Sequence, residues 1–223
     1  MLDSVKAVVP AYFHPAVDGL AWARLARCAE MVRLVVLNVA DGPGARPDPS
    51  YRDVLAALAG STVDIAGYVD TAYAQRRSAD VLGEVDRYRA WYGIDNVFLD
   101  QVSSSVPDLA YYAAVSQLAR DAGVRTVAFN HGTHPVEGYA EHADLLGTFE
   151  GPWRAYAEAR VPDWVRHRPA DQFFHLVYSV PRALHPDVWT LVAHRGAGSA
   201  FVTDHGGSNP WDYLPADPGH YAE

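Results

Sequence analysis

Asp100 closes an apolar run, Asn96-Val97-Phe98-Leu99-Asp100-Gln101, and helix-type sequence follows it. Glu150 closes a second such run, Leu145-Leu146-Gly147-Thr148-Phe149-Glu150. A strand of this kind packs its apolar body in a core and leaves its terminal acid at the rim, where it can meet a substrate. Two acids brought to one cleft supply a proton donor and an opposing carboxylate, the pair that cleavage of a glycosidic bond requires. A separation of about 5–5.5 Å suits retention at the anomeric carbon and about 6.5–9.5 Å inversion, and the sequence leaves that choice open. Burial of Glu150 beside Phe149 and Trp153 predicts a raised pKa, as a general acid needs. The competing assignments are a helix cap or buried ion pair for Asp100 and an Arg154 partner for Glu150.

For the two acids to meet, their strands must share one sheet. Eight strand candidates run along the chain, at 6–13, 33–40, 64–70, 96–102, 126–130, 145–150, 172–180 and 199–204. Helical sequence lies between successive strands, as parallel pairing demands. Tyr51, Val54, Leu55 and Leu58 form one helical stripe behind Pro49, and Ser78 is the expected N-cap of the next helix. Residues 135–143 read as a short helix and 153–167 as a helix broken at Pro162. Eight such units predict a single-domain (β/α)8 TIM barrel over residues 1–223, with a Pro/Gly/aromatic tail at 206–223. An open doubly wound sheet is the alternative. It usually carries a glycine-rich phosphate loop after strand one, where this chain has Tyr12-Phe13-His14-Pro15.

Barrel chemistry sits at the C-terminal strand ends. In order these offer Tyr12 and His14; Asn38 and Asp41; Tyr68, Asp70 and Tyr73; Asp100 and Gln101; Asn130, His131 and His134; Glu150 with Trp153 beyond it; Tyr178; and Thr203, Asp204 and His205. Carboxylates and aromatics dominate this rim, and cations for a phosphate are scarce. Sugars fit it, because aromatic faces stack on sugar C–H faces while Asp, Asn and His bond hydroxyls. The candidate catalytic residues are Asp100 and Glu150. The candidate substrate contacts are Gln101, Asn38, Tyr68, Asp70, Tyr73, Tyr12, His14, Asn130, His131, Trp153 and Asp204. His14, Asp41, His131, His134 and His205 also admit a zinc hydrolase. No His-x-His ends strand one and no lysine follows on strand four, so neither metal nor cofactor is expected.

Composition narrows the partners. The chain has 223 residues, 49% of them apolar, a net charge of −9 and one lysine, Lys6. Without a Lys/Arg cluster it does not read as a nucleic-acid binder. The single cysteine, Cys28, excludes an internal disulfide and a multi-cysteine metal site. No apolar run approaches the roughly 18 residues of a membrane span. The opening residues lack a signal-peptide pattern, which makes a cytoplasmic location the expectation.

Several stretches resemble the spherulin-4-like family, which includes glycoside hydrolases of galactosamine-containing polysaccharides. Asn38 through Gly44 is similar to that family's Asn-Pro-x-x-Gly-Pro-Gly, with Val39 replacing the proline. Gly67 through Tyr73 is similar to Gly-Tyr-Val-x-Thr-x-Tyr, and Arg87 through Phe98 to the approach to the family's catalytic strand. Phe149-Glu150, Thr203-Asp204 and Asn209 through Pro215 resemble its sixth strand, eighth strand and tail. The fourth strand of the family usually ends Asp-Glu; the resemblance therefore implies Asp100, position 101 and Glu150 as functional carboxylates. Gln101 departs from the pattern, since an amide neither delivers nor accepts a proton at working pH. His131 departs as well, standing where a proline is common. The expected function is a glycoside hydrolase of the endo-N-acetylgalactosaminidase type, with Asp100 as nucleophile and Glu150 as general acid/base. The alternatives are a repurposed intracellular barrel acting on a small glycosylated metabolite and a non-catalytic carbohydrate binder.

Overall fold

The computed structural model describes residues 5–215. The last part of the expected tail, 216–223, and residues 1–4 of the amino terminus lie outside the described residues. Eight parallel strands close a barrel in chain order. They are β1 (Lys6–Ala11), β2 (Val32–Leu37), β3 (Asp64–Asp70), β4 (Asn96–Asp100), β5 (Thr126–Asn130), β6 (Leu145–Pro152), β7 (Phe173–Tyr178) and β8 (Ser199–Val202). β1 pairs with both β2 and β8, which completes the ring. The helices α1 (Gly19–Arg27), α2 (Tyr51–Leu58), α3 (Ser78–Tyr92), α4 (Leu109–Asp121), α5 (Trp153–Glu158) and α6 (His185–His194) cover the outside. The β5–β6 crossover is made by a 3-10 turn, Glu137–Glu141, in place of the expected short α-helix.

The strands are nearly all apolar because both faces are covered, by the barrel interior and by the helices. Inside, Tyr68 stacks on Phe98, which packs on Phe174. Outside, α3 approaches β3 so closely that a Cβ on Gly67 would collide with the Tyr88 ring. The Tyr88 hydroxyl donates to the Leu37 carbonyl at 2.9 Å, so that ring has no freedom to retreat.

Local differences from the sequence expectation have local causes. β4 stops at Asp100, short of Val102, because Gln101 takes a left-handed φ of 50°. β7 stops at Tyr178, before Ser179 with φ 54°. Ser78 is the first residue of α3 and does not cap it; Arg77 holds the cap position without a side-chain bond. α5 ends at Glu158, whose carbonyl would need the N–H that Pro162 lacks.

Two glycines separate close approach from open space. Gly67→Ala is expected to cost about 1–3 kcal/mol or more through overpacking against Tyr88. Gly83 lies within α3, and a methyl group added there would meet nothing within 4 Å, so Gly83→Ala is expected to gain about 0.5–1 kcal/mol. Urea denaturation of the two variants checks both signs.

Candidate active site

β3, β4, β5 and β6 bring the acids together. Asp70 and Asp100 are register partners at the ends of β3 and β4. Asn130 ends β5 and is only 4% exposed. Its Nδ2 donates to Asp100 Oδ1 at 2.8 Å and to Glu150 Oε2 at 2.5 Å. Two bonds from one nitrogen hold the accepting oxygens within about 5 Å of each other, close to the range for a retaining pair. Both carboxylates keep partial solvent exposure, so neither is cut off from a ligand. Arg154 is exposed on α5, and Glu150 has no ion pair among the described residues.

Glu150 reaches the interior because β6 is irregular. Gly147 faces inward: a Cβ there would collide with Asn130 Oδ1 and would stand 2.6 Å from the Phe174 ring. Strict alternation would turn the residue three positions later outward. The β6–β7 register shifts between Gly147 and Phe149, and this bulge brings Glu150 back inside. Behind it Thr148 Oγ1 lies 3.1 Å from His175 Nε2, and His175 Nδ1 lies 2.8 Å from the Tyr156 hydroxyl. Burial holds His175 neutral, with its pKa pushed down to about 3.

The surroundings divide the two acids. Asp100 Oδ2 accepts from the Tyr68 hydroxyl at 2.9 Å. Burial raises the Asp100 pKa, while bonds from Asn130, Tyr68 and the Gln101 N–H oppose that shift. Glu150 is pushed up to about 7, first by burial and then by the Asp100 charge; bonds from Asn130 and Trp211 pull the other way. Tyr12 borders the same space. Its phenol is driven well above the ordinary value by burial and by the charges of Asp100 and Glu150, and its ring meets Tyr68 edge-on at 5.6 Å.

The other candidates are placed as follows. Gln101 Nε2 lies 3.4 Å from Asp70 Oδ2, and Asp70 Oδ1 accepts from the Ala72 N–H at 2.7 Å. Tyr73 is 55% exposed at the rim. Trp153 opens α5 against Tyr156. Asn38 uses its Oδ1 on the Gly42 N–H, which closes its own loop. His14 is bound to Asp48 at 2.9 Å, and Asp204 to Arg182 at 2.7 Å. His131 is buried, with Nδ1 3.1 Å from the Ser103 carbonyl. His205 stacks on Tyr213 and faces Asp212 at 3.4 Å. His134 meets the His175 ring edge-on at 6.5 Å, and among the described residues its Nε2 has no hydrogen-bond partner; no group of three or more His, Cys, Asp or Glu among those residues could hold a metal ion.

Sequence reasoning missed Gly147 and Trp211. A glycine inside an apolar strand signals a bulge or a close approach, and Gly147 marks both. Trp211 belongs to a tail whose residue pattern carries no periodicity, so nothing in it shows which way the side chain faces.

The family described as Spherulation-specific family 4 matches residues 6–222. Spherulin-4 of Physarum polycephalum is 29% identical over 216 residues, covering 91% of this chain and 64% of that protein. The chain therefore spans just under two thirds of the relative's length. Sph3 of Aspergillus clavatus, solved in complex with GalNAc, superposes with a TM-score of 0.80 at 25% identity, covering 95% of this chain and 93% of Sph3. The spore cortex-lytic enzyme SleL of Bacillus cereus shares the fold alone, with a TM-score of 0.50 at 8% identity, over 78% of this chain and 50% of its own.

The raised Glu150 pKa has a consequence for stability. A carboxyl that binds its proton more tightly when folded adds stability below its unfolded pKa, and that contribution is lost as pH rises through about 7. Glu150→Gln carries no such charge. Relative to the parent protein it is expected to gain stability on going from pH 4 to pH 8, by about 3 kcal/mol. Chemical denaturation at the two pH values measures it.

Proposed function

The chain belongs to the spherulation-specific family 4, and we propose that it is a retaining glycoside hydrolase acting on galactosamine-type glycans. The observation that carries this reading is the single Asn130 nitrogen bonded to both Asp100 and Glu150. The GalNAc bound to Sph3, a structure that shares the fold over nearly the whole chain, supports the sugar class.

Glu150, held protonated near neutral pH, delivers its proton to the glycosidic oxygen as the bond to the anomeric carbon breaks. Asp100 attacks that carbon from the opposite face and forms a glycosyl ester. Each of its oxygens keeps a lone pair beyond the bond it already accepts. Glu150, now ionised, takes a proton from water, and the resulting attack on the ester releases the sugar and restores Asp100. Tyr68 and Asn130 steady the Asp100 charge before attack. Gln101 has no proton to give, and its amide serves Asp70 and the sugar hydroxyls.

Asp100→Asn and Glu150→Gln are each expected to lower turnover of N-acetylgalactosamine oligosaccharides by about 10²–10⁴-fold with folding intact. Proton NMR of the first product should show the anomer of the substrate. Wild-type rates in either variant would refute the roles, and a first product of the opposite anomer would refute retention.

A further inference from the structure

β6 holds one residue more than β7 pairs. Gly147 is the partner of Phe174 and Phe149 of His175, which leaves Thr148 without a counterpart in β7. The backbone fastens the chain on either side of this extra residue. The His131 N–H donates to the Gly147 carbonyl at 3.1 Å, and the Glu150 N–H donates to the Gly132 carbonyl at 3.0 Å. Between these points Thr148 and Phe149 both turn toward the helices. The Thr148 hydroxyl reaches His175, and the Phe149 ring packs edge-on against Tyr156 of α5 at 4.7 Å. Two successive residues on one side of the sheet return Glu150 to the other.

The extra residue is held by a side chain. Phe174 packs on Phe98 inside the barrel, so His175, next to it in β7, faces the helix layer. The ring is 1% exposed, and burial keeps it neutral. Its Nδ1 lies 2.8 Å from the Tyr156 hydroxyl and its Nε2 3.1 Å from Thr148 Oγ1. A phenol is a stronger donor than an aliphatic hydroxyl, so Tyr156 donates to Nδ1. Nε2 then carries the single ring proton and donates it to Thr148. Tyr156 is anchored in its turn. Arg195, just past α6, lies 4.3 Å over its ring and donates to its carbonyl. This chain of bonds touches neither the reacting atoms nor the mouth of the barrel, and the hydrolytic steps proposed above leave it unused.

We propose that His175 is a positioning residue for Glu150: its bond to Thr148 sets how far the β6 bulge turns, and so where the Glu150 carboxyl stands relative to Asp100. A misplacement of about 1 Å at a reacting group costs on the order of 10² in rate, so a bond two residues away is felt in turnover. The effect on turnover rests on the hydrolase reading. The effect on Glu150 itself is read without substrate.

Thr148→Val keeps the shape of the side chain and deletes the hydroxyl, whereas Thr148→Ser keeps the hydroxyl. With an N-acetylgalactosamine tetrasaccharide as substrate, Thr148→Val is expected to lower kcat about tenfold with KM unchanged, and Thr148→Ser to restore it. A Glu150 carboxyl that swings away from Asp100 and toward water loses the two influences that raise its pKa. In substrate-free protein, ¹³C NMR titration of that carboxyl is therefore expected to give a lower midpoint in Thr148→Val and the parent's midpoint in Thr148→Ser. Tyr156→Phe removes the far bond of the ring and is expected to move both readouts the same way; it replaces Thr148→Val if that variant does not fold. Unchanged kcat in an active enzyme, a loss carried by KM alone, a loss shared by Thr148→Ser, or an unmoved midpoint would overturn the positioning role. A lowered midpoint in a protein whose parent cleaves no sugar would keep the positioning role and remove the hydrolase. Cleavage by the parent with neither kcat nor midpoint responding would do the reverse, and no cleavage with an unmoved midpoint would remove both.

Discussion

The Asn130 amide bridging Asp100 and Glu150 is the constraint on which the rest of the site depends. An amide nitrogen has two protons and here gives one to each acid. That use fixes its orientation, because the reverse placement would set its oxygen against two carboxylates. The oxygen turns instead toward Gly147, where the absence of a side chain leaves it room. Two carboxylates this close, largely withdrawn from water, do not both ionise easily. Asp100 has more help in carrying charge, from Tyr68, Asn130 and the Gln101 N–H, and Glu150 is left with the proton. In the mechanism proposed above, environment, not residue type, distinguishes the acid from the nucleophile.

The scaffold supplies what the bridge requires. The bulge in β6 rotates Glu150 into the barrel mouth, and the Thr148–His175–Tyr156 chain fastens that bulge to α5 from behind. The segment after β8 adds a second support. Trp211 helps hold the Glu150 pKa down, its carbonyl accepts from the Tyr12 N–H at 3.3 Å, and Arg24 on α1 donates to the Leu214 carbonyl at 2.7 Å. This segment packs the Trp211 ring on Tyr178 and Phe201 and ties it to β1 and α1.

The barrel was legible because its signals are repeated and local: apolar runs, helical stripes and turn residues in regular succession. Asp100, Glu150, Asn130, Tyr68 and Tyr12 were legible for a related reason, since a strand end in a barrel has only one place to go. Side-chain use was less legible because partners come from distant parts of the chain. Asn38 and His14 stand at strand ends as expected, yet Gly42 and Asp48 engage them. Period-two alternation reports facing only while the register is unbroken, so the sequence brought Glu150 to the rim without showing how it turns inward. Gly147 marked the break, but a lone glycine does not say which residue gains from it. Gln101 departs from the family's acid, and its left-handed backbone is a property no residue pattern in the strand announced.

The most direct test is a ¹³C NMR titration of the Glu150 side-chain carboxyl in the parent protein and in Asp100→Asn, with the resonance assigned by its loss in Glu150→Gln. The account predicts a midpoint of about 7 in the parent, well above the ordinary 4.5, and a clear fall once the neighbouring charge is removed. An ordinary midpoint in the parent, or one indifferent to residue 100, would contradict it.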